Sequence, residues 1–306
     1  MKHIIEILPQ RISIMLEKVP EHLLSRITQI RLRINCPILI YVDKQERMLG
    51  VQGLVRYDGE TFTHDDLCCL LRRLNEHSAY VHDQSIKNGF ITIKGGHRIG
   101  VAGEVVYKDG EIKYISHQTF FCIRCAHQIK GCFERIRNNI FDDRIESCLF
   151  FSLPGNGKTT MLRDCCRVLS TEGYNIALID ERNEISGSYN GIPGMDIGKR
   201  CDVLANCGRT EGIISAIRSL APDIIVTDEI GSDSDAEAIK NAINSGIVVI
   251  ASIHAGNIEQ LKRKRILRNI SFERYVNLYI TEKGASCKVF DRDFSPIAGG
   301  LRRCCI

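Results

Sequence analysis

The run Gly155-Asn156-Gly157-Lys158-Thr159-Thr160, preceded by Pro154, has the residue types that hold a polyphosphate. Such a ligand needs several backbone N–H donors converging on it. A glycine-rich turn that feeds a helix amino terminus supplies them, together with the helix dipole. Gly155 and Gly157 let the backbone curl where a side chain would clash. Lys158 is spaced to reach the β- and γ-phosphates of ATP, and Thr159 to place its hydroxyl on Mg²⁺. The complete G-x-x-x-x-G-K-[ST] pattern has glycine where this chain has Ser152. A residue with a Cβ resists positive φ, so some loss of affinity is expected there.

Hydrolysis needs a carboxylate near the metal and a second group that orients the attacking water. Ile224-Ile225-Val226-Thr227-Asp228-Glu229 reads as a buried strand ending in two acids. Asp228 is placed to hold Mg²⁺ through water and Glu229 to polarise the nucleophile. A second strand, Ile176 to Asp180, runs into Glu181 and Arg182, and Glu181 could orient the water instead; the sequence does not divide the labour between the two. Ile247 to Ile253 ends at His254, whose imidazole could bond a γ-phosphate or a carboxylate and sense the nucleotide's state. Arg218, on the helix leading into the Asp228 strand, is a candidate to touch nucleotide directly or across a subunit interface.

These residues must be carried by a sheet. Cys148 to Phe151, Ile176 to Asp180, Ile224 to Thr227 and Ile247 to Ile253 are short apolar runs separated by helical stretches, the signature of a mostly parallel sheet covered on both faces. The catalytic and phosphate-binding residues then share the carboxyl ends of its strands. The earlier half differs. Ile30 to Ile34 alternates, Pro37 to Val42 is apolar, Asp65 to Asn75 has helical spacing, and Gly100 to Tyr107 and Glu111 to Ile115 flank the turn Lys108-Asp109-Gly110. The expected fold is therefore α/β, with an α+β amino-terminal domain over 1–135 and the phosphate-binding domain over 136–306.

With 44% apolar and 25% charged residues the chain is globular, and a net charge of +4 falls short of the basic balance of a dedicated nucleic-acid binder. There is no tryptophan and no obvious aromatic stacking set, so no stable nucleic-acid partner is expected. Fourteen cysteines, with no apolar leader at Met1-Lys2-His3, point to reduced thiols and a cytoplasmic location, with peripheral attachment at the cytoplasmic face of the membrane through partners. Cys122-Ile123-Arg124-Cys125 lacks the second ligand pair of a zinc site. The basic run Lys262 to Arg265 with Arg268 reads as a solvated helix face after Asn257, and Tyr275 to Asp291 as a terminal hairpin.

Taken together, Gly89 to Ile93, Gly95 to Gly100, Gln128 to Cys132, Pro154 to Thr160, Asp180 to Ile185, Pro222 to Gly231 and Ser252 to Ala255 resemble the stage III sporulation protein AA family, itself similar to the hexameric ATPases of type II and type IV secretion systems. The resemblance spans residues 20 to 260. It implies a RecA-like P-loop core, an amino domain packing between subunits, and a homo-oligomeric, hexameric ring. Arg98 and Arg124 are, on that analogy, amino-domain residues completing a neighbour's site. The implied role is a motor powering a channel between mother cell and forespore, with membrane-embedded sporulation proteins of the same operon as partners. An ATP-regulated nucleic-acid protein and a nucleotide-gated scaffold with negligible hydrolysis are the alternatives.

Overall fold

The computed structural model describes residues 1–76, 90–281, 284–297 and 302–304; Gly89, Glu282 and Lys283, which fall in motifs quoted above, lie outside the described residues. The chain forms two compact units, Met1–His127 and Gln128–Ile306. They part earlier than residue 135 because the segment after His127 is tied into the second unit. The Gln128 side chain exchanges two hydrogen bonds with the Asp196 backbone, Lys130 Nζ meets Asp196 Oδ2 at 2.6 Å, and Phe133 N donates to Asp164 Oδ2 at 2.9 Å.

In the first unit, helices α1 (Lys2–Ile7), α2 (Gln10–Glu17) and α3 (Glu21–Leu24) precede strands β1 (Ile27–Arg33), β2 (Leu39–Val42), β3 (Gln45–Gly50) and β4 (Gly53–Val55). Helix α4 (His64–Glu76) then leads to β5 (Phe90–Ile93), β6 (His97–Lys108) and β7 (Glu111–Arg124). The sheet order is β4-β3-β2-β1-β7-β6-β5, antiparallel throughout. Alternation decides which face is buried: Ile30 and Leu32 of β1 and Ile123 of β7 enter one core with Ile4, Leu8, Ile12 and Leu16 of the first helices. Asp109 (φ 54°) and Gly110 (φ 82°) turn the β6–β7 hairpin, the positive-φ pair that a two-residue connection favours. Thr63 and Asp66 exchange reciprocal bonds at the start of α4, and Arg11 clamps Glu60 at 2.8 Å and Asp66 at 2.5 Å. Arg98 and Arg124 are direct partners across β6 and β7, and the Arg98 guanidinium lies 4.4 Å from the Phe90 ring centre.

The second unit opens on α5 (Arg137–Ile140), then β8 (Cys148–Ser152), α6 (Lys158–Thr171), β9 (Ile176–Asp180), β10 (Cys201–Ala205), α7 (Arg209–Ser219), β11 (Ile224–Glu229), α8 (Asp233–Asn244), β12 (Val248–His254), α9 (Ile258–Lys262), β13 (Arg274–Thr281), β14 (Gly284–Phe290) and β15 (Arg302–Cys304). The sheet order is β10-β9-β11-β12-β8-β13-β14-β15, parallel from β10 through β13, with β14 and β15 antiparallel beyond. Every residue of β8 and β9 is buried, as a sheet covered on both faces requires. Helices α7 and α8 pack Ile213, Ala216, Ile239 and Ala242 on Leu149, Phe151, Ile179 and Ile225; α6 buries Met161, Leu162, Cys165 and Leu169 outside that cluster. Cys132, Cys148, Cys165 and Cys166 are fully buried, acting as small apolar filling. Asn257 caps α9 by accepting from Gln260 N, but the helix ends at Lys262, and Arg263, Lys264, Arg265 and Arg268 are exposed.

Candidate active site

Strand β8 runs straight into the glycine-rich loop, and its last residue, Ser152, pairs with His254 of β12. Gly155 (φ 80°) and Gly157 (φ 84°) take the left-handed conformation. Gly157 is the N-cap of α6 and no side chain caps the helix, so its first N–H groups face the loop. Nothing lies within 4 Å of where a Cβ on Gly155 would stand. This is a cradle open to an anion. The backbone reason for a penalty at Ser152 is absent: its φ is not positive, it continues the ladder with β12, and its Oγ donates to Leu153 O at 2.8 Å.

Lys158 is 7% exposed. Its Nζ donates to His254 Nδ1 at 2.8 Å and to Ser152 O at 3.3 Å. Burial draws the lysine pKa below its ordinary value, while Glu229 and Asp228 pull it back up. Thr159 and Thr160 follow in the first turn of α6, half-buried, and Pro154 is exposed.

Strand β11 carries a bulge between Val226 and Glu229 against β12, and that extra residue re-aims both terminal acids toward the end of β12. Ser252 Oγ donates to Asp228 Oδ1 at 3.2 Å. Burial pushes the Asp228 carboxyl above its ordinary range, and the nearby charges of Glu184 and Asp180 push in the same direction. Glu229 Oε2 is 3.1 Å from His254 Nε2. Lys158, His254 and Glu229, from three elements, thus stand in a row, the first two hydrogen-bonded and the last two in ion-pair contact.

Asp180 and Glu181 have separate tasks. Asp180 is fully buried and accepts from Glu184 N at 2.9 Å, Ser186 N at 2.8 Å and Ser186 Oγ at 2.7 Å, which pins the turn after β9. From α6, Arg163 adds bonds to Ile185 O and Glu184 O. Glu181 faces outward to Arg209, whose Nη2 donates to Glu181 Oε2 at 2.6 Å while Nη1 donates to Asp235 Oδ2 at 3.0 Å. Arg209, Asp235 and Ser252 were not among the sequence candidates. Asp235 carries a local signal, standing three residues after Ser232 in a capping box, and Arg209 carries another, a cation on the first position of a helix. Arg218 is not brought to this site: it sits exposed in the last turn of α7, just before β11 begins, at the opposite end of the sheet from the loop. The helix returns antiparallel to the strands, and that places its last turn there.

Residues 1–293 match the family described as sporulation stage III, protein AA. The chain belongs to that family. Stage III sporulation protein AA of Bacillus subtilis (strain 168) is 33% identical to this family member, over 99% of this chain and 100% of its own length. The uncharacterized protein ycf45 of Porphyra purpurea is 31% identical over 56% of this chain and 31% of its own. Among solved structures, the pilus retraction motor PilT with bound ADP superposes with a TM-score of 0.59 at 16% identity, covering 88% of this chain and 80% of its own. The Legionella pneumophila ATPase DotB gives 0.54 at 14%, covering 87% and 77%. These are likenesses of fold: α/β, a RecA-like core on a mostly parallel sheet with an α+β amino-terminal unit. No helix among the described residues is long and apolar enough to cross a membrane.

Proposed function

We propose that this stage III sporulation chain binds Mg-ATP on the loop Pro154 to Thr160 and hydrolyses it, working as a motor for a channel complex between mother cell and forespore. One observation carries the chemistry: Lys158, Asp228, Glu229 and His254 converge at the carboxyl ends of three adjacent parallel strands beside an uncapped helix amino terminus. That is where open α/β sheets take ligands.

The residues fit the group. The backbone N–H groups of Gly155 through Thr160 suit phosphate oxygens, and the Lys158 ammonium neutralises them. Thr159 and Asp228 would hold Mg²⁺, which would supply positive charge against that of the phosphates. Glu229 and Glu181 stand at the same mouth as candidate acids for orienting water. His254 spans Lys158 and Glu229, so its bonds rearrange when the lysine turns to phosphate; this supports its role as a sensor. The family resemblance supports a hexameric ring, membrane-embedded partners, and Arg98 and Arg124 completing a neighbouring copy's site.

The test is ATP turnover by the purified chain beside Lys158→Ala, with light scattering reporting assembly with and without nucleotide. Lysine-dependent turnover that rises with assembly is expected. Nucleotide binding without turnover would replace the motor with a nucleotide-gated scaffold.

A further inference from the structure

An ion-pair network at the mouth of the sheet is left unused by this reading. Arg209 is the first residue of α7, where a cation meets the positive end of the helix dipole. It is nevertheless only 9% exposed. A guanidinium so placed requires carboxylates around it. It has two: Glu181 at 2.6 Å, immediately after β9, and Asp235 at 3.0 Å, in the first turn of α8. Asp235 also accepts from Gly231 N and Ser232 N, both at 3.0 Å, and from Thr210 Oγ1 at 3.0 Å. Gly231 and Ser232 belong to the loop directly after Asp228 and Glu229. Arg209 therefore joins the acid at the end of one core strand to the loop leaving the next acid-bearing strand.

Stability alone does not account for such a group. Burying an ion pair costs desolvation that its attraction roughly returns, and well-packed apolar side chains of the same volume hold such positions at least as well. The guanidinium is also incompletely satisfied, since its Nε is buried with no partner among the described residues. What the pair does supply is direction, because a planar fork fixes two carboxylates relative to one another as an ammonium does not.

We propose that Arg209 is a positioning residue for hydrolysis, locking Glu181 to the loop behind Asp228 and Glu229 so that acids from two strands are held as one unit. The inference rests on the ATPase reading of the site. Arg209 spends its hydrogen bonds on Glu181 and Asp235 and Lys158 on Ser152 and His254, so Arg209 acts on the chemical step and leaves nucleotide capture alone.

The experiment compares full-length wild type, Arg209→Gln, Arg209→Lys, Glu181→Gln and the Arg209→Gln/Glu181→Gln double variant. Steady-state ATP kinetics are measured together with titration of a fluorescent non-hydrolysable ATP analogue and thermal melting. Arg209→Gln is expected to lower kcat by about tenfold or more with KM and analogue affinity within about twofold. Arg209→Lys recovers part of the loss, and the double variant is no slower than the slower single one, because the two residues act through one carboxylate. Should Arg209→Gln not fold, Arg209→Lys and its double variant with Glu181→Gln carry the same comparison. A lowered melting temperature with wild-type kcat would make Arg209 a structural tie only and overturn the inference, as would additive losses in the double variant. Wild type without Lys158-dependent turnover would overturn the ATPase reading itself and this inference with it, a result separable from the others because it needs no Arg209 variant.

Discussion

Lys158 Nζ and His254 Nδ1 are 2.8 Å apart, so the lysine that the proposed reading assigns to phosphate rests on the end of a strand 96 residues further along the chain. A phosphate oxygen competes with the imidazole for that ammonium. Lys158→Ala should therefore abolish turnover. His254→Ala should free the lysine, keep analogue affinity within a few-fold, and lower kcat by about a hundredfold to a thousandfold, the range of losing one preorganised polar group. An unchanged kcat in His254→Ala would remove the histidine from the reaction.

Both strand-end acids can be tested by removing charge at constant shape. Glu229→Gln loses the negative charge facing His254 Nε2, and Glu181→Gln the one facing Arg209 Nη2. The acid that orients water should cost about 10²-fold or more in kcat when amidated. The larger loss identifies it. Two variants that both turn over like wild type would exclude both residues.

Ser152→Gly restores the glycine of the usual loop pattern, yet no gain is expected. Ser152 lies in the β8–β12 ladder without a left-handed backbone, and its Oγ is bonded to Leu153 O. Glycine there should weaken the fold by about 1 kcal/mol, from chain entropy and the lost bond, and leave ATP affinity within about twofold. Calorimetric titration and urea melts check both parts; a large rise in affinity would restore the backbone argument.

The amino-terminal unit has a built-in acid limit. Burial alone would raise the Asp66 carboxyl, but bonds from Arg11 and Thr63 together hold it below its ordinary value. A depressed folded value means the contribution is complete above the unfolded value near 4 and is lost as pH falls toward the folded one. Urea melts of the full chain between pH 6 and pH 2.5 should show this loss. Asp66→Asn should lower stability at pH 6 by about 2 kcal/mol, as for a charge-assisted bond, and flatten the profile below pH 4. A variant with the wild-type acid profile would show the network contributes nothing.

The sequence marks those parts of the site that are local. The apolar runs ending at Phe151, Asp180, Thr227 and Ile253 became β8, β9, β11 and β12, because a strand buried on both faces is continuously apolar and abruptly bounded. Strand β10 escaped notice: Cys201–Ala205 contains Asp202, lies at the sheet edge, and has no residue fully buried. The β6–β7 hairpin runs further than alternation suggests because register shifts after Ala102 and Val106 break the two-residue period. Arg209 pairs with acids 28 residues before it and 26 after, a relation that no local spacing encodes.

Strand β8 is flanked in space by β12 and β13, and its last residue meets His254, 102 residues downstream. On the ribosome the phosphate loop is therefore made long before either strand that braces it has emerged. Closing such distant pairings is the slow part of reaching a native sheet, and an apolar strand waiting for both neighbours is open to mispairing. Until β13 is translated the loop has no complete frame, so, on the ATPase reading proposed above, a chain cut short before β13 is expected to gain little stability from ATP.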